Sequence, residues 1–106
     1  MLQESIAKLF KYEHCMALLV GSLSVKYLRR YIYGSADAFL ACGYPEVADA
    51  FGHKWEDYVE DWFDTNQTCG WDNLIINHSD SDNEAVALFY QILRMYLYDY
   101  YPQVLP

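Results

Sequence analysis

The amino-acid sequence predicts an all-α fold, a compact bundle of four or five helices with one irregular loop around residues 65–80. Apolar residues recur at three- and four-residue spacing along most of the chain, and glycine, proline and capping residues separate these stretches. No stretch alternates apolar and polar residues strongly enough to favour strands. Because 106 residues, 54% of them hydrophobic, can bury a core of their own, we expect a single domain over residues 1–106.

The first helical stretch is expected from about Gln3 to Tyr33. Its apolar residues follow the spacing of a helix with one buried face, and they are Leu2, Ile6, Leu9, Met16, Val20, Leu23, Tyr27 and Tyr31. Gly21 and Ser22 interrupt good helix formers. We expect a break or kink there, because two helices suit a compact bundle better than one long helix.

A short helix is expected next, over about Ala36 to Cys42. Gly34 is suited to end the preceding helix, Ser35 to cap the N-terminus of the short one, and Gly43 to end it.

The stretch from Pro45 to Asp64 is predicted to form one amphipathic helix, with the proline in its first turn. At about 100° per residue, the apolar face carries Val47, Phe51, Trp55, Tyr58, Val59 and Trp62, and the opposite face carries Glu46, Asp49, His53, Glu56, Asp57, Glu60 and Asp64. Glu56, Glu60 and Asp64 follow one another at i,i+4, where each like-charge pair costs about 0.2–0.5 kcal/mol. No lysine or arginine lies on that face. It is either a solvated surface or one kept for contact with a positively charged molecule.

Residues Thr65 to Asp80 are rich in Asn, Asp, Thr and Gly and are predicted to be irregular, with Leu74–Ile76 as either a short strand or a helical turn. Ser81 and Glu84 then have the spacing of a capping box. They open a last helix over about Asp82 to Tyr100, which Pro102 closes.

The charge is distributed unevenly along the chain, whose formal net charge is −8. Residues 1–30 carry five of the seven basic side chains and two acidic ones, whereas residues 31–106 carry two basic and thirteen acidic ones. This balance argues against direct binding of nucleic acid, for which a basic footprint supplies most of the affinity. It favours a basic protein partner or mimicry of a nucleic acid. The basic cluster Lys26, Arg29 and Arg30 is either a solvated face or a phosphate site.

The first residues lack the basic start of a signal peptide, and the apolar run Met16–Leu19 is far too short to span a bilayer, so we expect a cytoplasmic protein. The three cysteines, Cys15, Cys42 and Cys69, are odd in number and form no CxxC pair. We expect reduced thiols in the core and no disulfide framework.

His53 is the residue with the strongest indication of chemistry. Asp49 and Asp57 lie four residues to either side and Glu56 three residues on, so three ligands for a divalent cation are conceivable on one helix face. Such a site would bind weakly, and the simpler interpretation is a histidine in an acidic field. A Cys/His nucleophile pair from Cys69 with His53 or His78 has no support in the local sequence.

Trp71 and Tyr98 are the aromatic residues that fall outside the apolar faces. Trp71, followed by Asp72, lies in the polar segment and either anchors that segment to the core or contacts a partner. Exposed aromatics beside carboxylates are typical of protein-binding surfaces, where the acids steer a basic partner.

In its short single domain, its missing signal and its carboxylate row (Glu56, Asp57, Glu60, Asp61 and Asp64, with Trp55 and Tyr58), the chain resembles the small acidic immunity proteins that bacteria make against nuclease toxins, including those of contact-dependent growth inhibition systems. The resemblance implies a stoichiometric inhibitor that is not an enzyme, needs no cofactor or metal, and is monomeric before binding. Such an inhibitor covers a toxin active site with carboxylates in place of substrate phosphates. The residues then expected to contact the partner are Asp49, His53, Glu56, Asp57, Glu60, Asp61, Asp64, Trp71 and Asp72.

Two alternatives remain at this point. One is a small metal-binding or enzymatic domain that uses His53 and neighbouring carboxylates, with Cys69 or His78. The other is a homo-oligomer whose surplus aromatic residues meet across an interface.

Overall fold

The computed structural model describes residues 1–67 and 69–106, and all regular structure in these residues is helical. The α-helices are α1 (Leu2–Lys11), α2 (Met16–Val20), α3 (Val25–Ala41), α4 (Glu46–Ala50), α5 (His53–Trp62), α6 (Trp71–Asn77) and α7 (Asp82–Tyr100), followed by a 3-10 turn at Pro102–Val104. The predicted all-α fold is confirmed. Four of these helices have ten or more residues, and three short helices connect them.

Helix α7 is the longest and lies at the centre of the core. It packs against α3, α5, α6 and the C-terminal turn, while α1 packs against α4 and the same turn. One wide face of α7 carries apolar residues that are less than 5% exposed, namely Ala85, Val86, Phe89, Tyr90, Ile92, Leu93, Tyr96 and Leu97. So wide a face can contact several elements at once, which explains why α3, α5 and α6 all pack against α7.

The break predicted near Gly21 is confirmed. Gly21 ends α2 in the left-handed conformation (φ +82°), which glycine adopts at little cost. The predicted stop at Gly34 and cap at Ser35 are wrong, because α3 continues through both residues to Ala41. Gly34 is exposed, and buried apolar residues on both sides of it, Ile32 and Ala36, keep the helix against the core. Packing outweighs the cost of about 1 kcal/mol for an internal glycine.

The single helix predicted from Pro45 to Asp64 is divided into α4 and α5 at Phe51 and Gly52. Phe51 is 2% exposed and packs edge-on against Trp55, with ring centroids 5.7 Å apart. Gly52 brings the two helices close together, since a Cβ at this position would lie 3.1 Å from the carbonyl oxygen of Ala48. The acidic residues therefore do not form one continuous row. Asp64 lies beyond α5, with φ +51°.

The segment predicted to be irregular, residues 65–80, contains the helix α6, and its residue 68 lies outside the described residues. Leu74 and Ile75 are buried on α6, so the open choice between strand and helical turn is decided in favour of the helix. The predicted capping box is confirmed in part: the backbone N–H of Glu84 donates to Ser81 Oγ at 3.1 Å, and α7 begins at Asp82.

The three cysteines are free and exposed, so their predicted place in the core is wrong. Cys15 directly precedes α2, Cys42 directly follows α3, and Cys69 lies two residues before α6. Each is therefore at a point where the buried face of a helix is interrupted. Across the described chain, no helix combines the length and the apolar character needed to cross a bilayer.

Candidate functional site

A groove of about 470 Å³ runs along one side of α5 and brings together residues from α3, α5 and the start of α6. We call it the acidic groove. It is lined by Arg29, His53, Glu56, Asp57, Glu60, Gln67, Cys69, Gly70, Trp71 and Leu74. Four of the acidic-face residues predicted to contact a partner thus line one concave surface. Asp49, Asp61 and Asp64 are exposed but lie outside the groove.

Trp71 lines the groove but is only 1% exposed. It therefore cannot be the exposed contact residue that the sequence suggested. Its ring packs edge-on against Trp55 at 5.4 Å and stacks on Phe89 at 5.6 Å, and its Nε1–H donates to the hydroxyl of Tyr33 at 2.9 Å. These contacts fix the start of α6 against α3, α5 and α7. Trp71 is therefore the anchor that holds this segment to the core.

Asp72 is 3% exposed and is also removed from the predicted acidic surface. Its Oδ1 lies 3.4 Å from Arg29 Nη1, and its Oδ2 lies 3.9 Å from Lys26 Nζ. The two basic side chains come from α3, against which α6 packs. A buried carboxylate requires such compensation. The ion pairs of Asp72 therefore connect α6 to α3.

Arg29 supplies a positive charge that the helical projection of the acidic face lacks. Burial lowers the pKa of the Arg29 guanidinium, but the contact with Tyr33 and the charges of Asp72 and Glu56 outweigh it, and the pKa is raised above its usual value. Arg29 and Glu56, 27 positions apart in the chain, line the same groove, but no ion pair joins them within the described residues.

The carboxylates of α5 form no ion pair with any of the described residues. Within residues 1–67 and 69–106, the ion pairs involve the acidic residues Glu4, Glu13 and Asp72, and none involves Asp57, Glu60 or Asp61. Glu56 and Glu60, like Asp57 and Asp61, lie at i,i+4 within α5. The last turn of α5 carries no basic residue. Negative charge there also opposes the helix dipole, at a cost of about 0.3–1 kcal/mol for each residue.

Helix α5 holds these carboxylates on a rigid support. Trp55 and Val59 on its inner face are fully buried. Tyr58 donates a hydrogen bond to Asp99 of α7 at 2.8 Å, and Lys54 lies over the ring of Tyr100 at 5.0 Å. The side chains that fix α5 are therefore distinct from the carboxylates that face the groove and the solvent.

His53, Asp57 and Cys69, which the sequence suggested for chemistry, line the same groove. Within the described part of the chain, however, no group of three or more His, Cys, Asp or Glu side chains has an arrangement that could hold a metal ion. His78 does not line the groove: its ring stacks on Phe63 at 4.1 Å, and its Nδ1 lies 2.8 Å from the carbonyl oxygen of Leu74.

Arg29, Gln67 and Gly70 are groove residues that sequence reasoning did not assign to the site. Arg29 comes from a distant helix, and no local pattern connects it to α5. Gly70 has φ +94°, and a Cβ there would lie 2.9 Å from Asp72 Oδ1. A glycine directly before a tryptophan in a polar segment was the one available signal for such a close approach.

Comparison of the chain with protein-family models, with curated proteins and with solved structures finds no match in any of the three. Its function must therefore be argued from the groove and the charges around it.

Proposed function

We propose that this chain is a stoichiometric protein-binding inhibitor whose acidic groove and the adjoining carboxylates of α5 dock on a basic protein. The observation that carries the proposal is the set of unpaired carboxylates Asp57, Glu60 and Asp61 on a helix that is otherwise firmly packed. Stability alone would favour basic residues among them, because like charges at i,i+4 and acids in a last turn are both unfavourable.

Such a surface acts mainly on the rate of encounter. Negative charge on α5 accelerates association with a basic surface, and salt slows it. The concave shape gives a partner side chain a place to enter, beside carboxylates that are already positioned. Asp49, Asp61 and Asp64 then form the outer part of the contact surface, outside the groove.

The narrower form of the proposal is an immunity protein that neutralises a basic nuclease toxin in the cytoplasm of a bacterium. It rests on the resemblance in size, charge and carboxylate row to such immunity proteins. The active site of a nuclease binds phosphates, so a rigid row of carboxylates is chemically suited to occupy it.

The test compares two variants that each lose three negative charges. Asp57→Asn/Glu60→Gln/Asp61→Asn removes charge from the proposed site. Asp80→Asn/Asp82→Asn/Glu84→Gln removes the same number of charges at the start of α7, about 25 Å along the helix axis from Asp99, which Tyr58 of α5 contacts. Both are used with the wild type for affinity capture from the source cells at low and high salt. We expect the wild type and the second variant to retain one basic protein in a 1:1 complex that high salt dissociates, and the first variant to lose it.

The captured protein is then produced alone and assayed on nucleic acid with and without this chain. Inhibition at a 1:1 ratio supports the immunity function. A partner without nuclease activity contradicts that narrower form and leaves the inhibitor proposal to be tested on the partner's own activity. Equal retention by all three forms, or no retention, contradicts the proposal that α5 docks on a basic protein.

A further inference from the structure

A second cavity, of about 450 Å³, lies between α3 and the start of α6 and has the opposite charge. We call it the basic cavity; it is lined by Lys26, Arg29, Arg30, Tyr33, Asp72 and Asn73. It therefore contains three of the seven Lys and Arg residues of a chain whose net charge is −8. Asp72 is the one carboxylate in its lining, so three cations face a single negative charge.

Two of these cations are held in place by hydrogen bonds and charge. Lys26 Nζ donates to Asn73 Oδ1 at 2.6 Å, and Asn73 is fixed in turn by donating from Nδ2 to the carbonyl oxygen of Cys69 at 2.6 Å. Arg29 lies beside Asp72, which takes up one positive charge, and its guanidinium lies 5.0 Å from the ring centre of Tyr33. A ligand would not have to order these side chains on binding, which lowers the entropic cost.

Arg30 is the third cation, and it is exposed. Its guanidinium lies over the ring of Tyr27 at 5.3 Å, and no carboxylate of residues 1–67 or 69–106 is close enough to form an ion pair with it. The planar group thus keeps its N–H donors for another acceptor. The hydroxyl of Tyr33 accepts from Trp71 Nε1 and retains its own hydrogen to donate.

We propose that the basic cavity binds the phosphate group of a small soluble molecule. Guanidinium and ammonium groups with a nearby hydroxyl are the donors that phosphate oxygens prefer, and an arginine whose N–H edge is free can bind two of these oxygens at once. A nucleic acid is disfavoured, because one cavity gives it no basic track to follow. The net charge of −8 also repels an anionic membrane surface. This proposal is independent of the one for the acidic groove, which uses other residues except Arg29.

The probe is inorganic phosphate, titrated into the labelled protein and followed by the backbone amide signals in NMR spectra. Sodium chloride at equal ionic strength is the control for general screening of charge. We expect saturable shifts confined to residues 25–33 and 71–73. At phosphate about ten times its Kd, Tm should rise by about 5 °C over the chloride control.

The site variant is Lys26→Gln/Arg30→Gln, and Lys8→Gln/Lys11→Gln on α1 removes the same charge elsewhere. We expect the first to lose at least tenfold in phosphate affinity and the second to change it less than twofold. The single variant Arg30→Gln, which removes only an exposed side chain, serves if the double variant does not fold; it should lose at least threefold.

Three results would overturn the proposal: shifts that chloride reproduces, shifts spread over the molecule, or equal losses in the two double variants. Flotation with vesicles containing phosphatidic acid distinguishes a lipid source of the phosphate. If flotation depended on Lys26 and Arg30, the ligand would be a membrane lipid and not a soluble molecule. We expect no flotation.

Discussion

At the scale of single residues, tyrosine hydroxyls connect the helices to one another. Tyr90 of α7 donates to the carbonyl oxygen of Leu9 at the end of α1, at 2.6 Å, and Tyr96 of α7 donates to that of Ala50 at the end of α4. Both acceptors lie in the last turn of a helix, where carbonyl groups lack the usual i+4 partner, and Leu9 O also accepts the backbone N–H of Tyr12 at 3.3 Å. Burial raises the pKa of both hydroxyls, which therefore stay protonated. Part of the high tyrosine content is thus explained by these contacts between helices.

Tyr58→Phe tests the corresponding contact of α5. Burial, followed by the hydrogen bond to Asp99, raises the pKa of Tyr58 to about 12 from an ordinary value of 10.0. The raised pKa means that this hydroxyl stabilises the fold fully below pH 10 and loses its effect as pH rises towards 12. We expect the variant to lose about 0.5–1.5 kcal/mol of unfolding free energy at pH 7. In urea unfolding, the difference from the wild type should shrink between pH 10 and pH 12, and a constant difference would contradict this account.

Gly70→Ala tests the close approach beside the acidic groove. The residue has φ +94°, and the added Cβ would lie 2.9 Å from the oxygen of Asp72, so we expect a loss of about 1–3 kcal/mol in unfolding free energy. The matched control is Gly34→Ala, where no atom lies within 4 Å of the new Cβ and the backbone is helical. That change should stabilise the protein by about 0.5–1 kcal/mol. Equal effects of the two variants would be inconsistent with this backbone at Gly70.

At the scale of the helices, the ends are defined by local residues only where packing does not oppose them. Gly21 and Ser81 end and begin helices as their types predict. Gly34 is suited to a helix end but lies inside α3, because the buried face of α3 continues past it. The division between α4 and α5 occurs within a pattern that is helical throughout: the chain turns at Phe51 and Gly52, where a Cβ on Gly52 would lie 3.1 Å from the carbonyl oxygen of Ala48.

Ser81→Ala removes the side-chain acceptor at the start of α7. The Oγ accepts the N–H of Glu84 at 3.1 Å, and its loss should lower the unfolding free energy by about 1 kcal/mol. Ser81→Asp retains an acceptor and should remain within a few tenths of a kcal/mol of the wild type. Chemical denaturation of the three proteins measures both effects, and an equal loss in Ser81→Asp would show that the cap is not their cause.

We expect the acidic residues of α5 to destabilise the free protein. Asp57→Asn/Glu60→Gln/Asp61→Asn removes both i,i+4 like-charge pairs and the acids of the last turn, so we expect about 0.5–1.5 kcal/mol of stabilisation at low salt. The control Asp80→Asn/Asp82→Asn/Glu84→Gln loses acids that favour the start of α7, and it should be destabilised. Thermal unfolding of both variants decides this, and destabilisation of the first would mean that the acids have a structural role.

At the scale of the whole molecule, charge is separated between two neighbouring surfaces. The acidic groove on α5 and the basic cavity on α3 share Arg29, whose guanidinium lies beside the buried Asp72. The residues that line the two surfaces include four acidic and three basic side chains, so most of the net charge of −8 lies outside them. The folded chain therefore carries a self-repulsion that salt should relieve.

Raising sodium chloride from about 0.1 M to about 1 M shortens the screening length from about 10 Å to about 3 Å. We expect Tm of the wild type to rise over this range, and to rise less in Asp57→Asn/Glu60→Gln/Asp61→Asn, which has three fewer negative charges. An equal rise in the two proteins would attribute the effect of salt to causes other than the α5 carboxylates.

The sequence by itself determined the all-α class, the break at Gly21, the cap at Ser81 and the extent of α7. These depend on residue types and on spacing within a few positions, which act through local backbone geometry and one buried face. It also identified His53, Glu56, Asp57 and Glu60 as members of one face, because a helix places residues three and four apart on the same side.

Only the tertiary structure decided the burial of Trp71 and Asp72, the place of Arg29 in the acidic groove, and the division of the acidic stretch at Gly52. The first two depend on contacts of α6 with other helices, and the division depends on close packing at Phe51 and Gly52. Whether a tryptophan or an aspartate is exposed is decided by what packs against it, and the residues that do so, Phe89 for the first and Lys26 and Arg29 for the second, come from other helices.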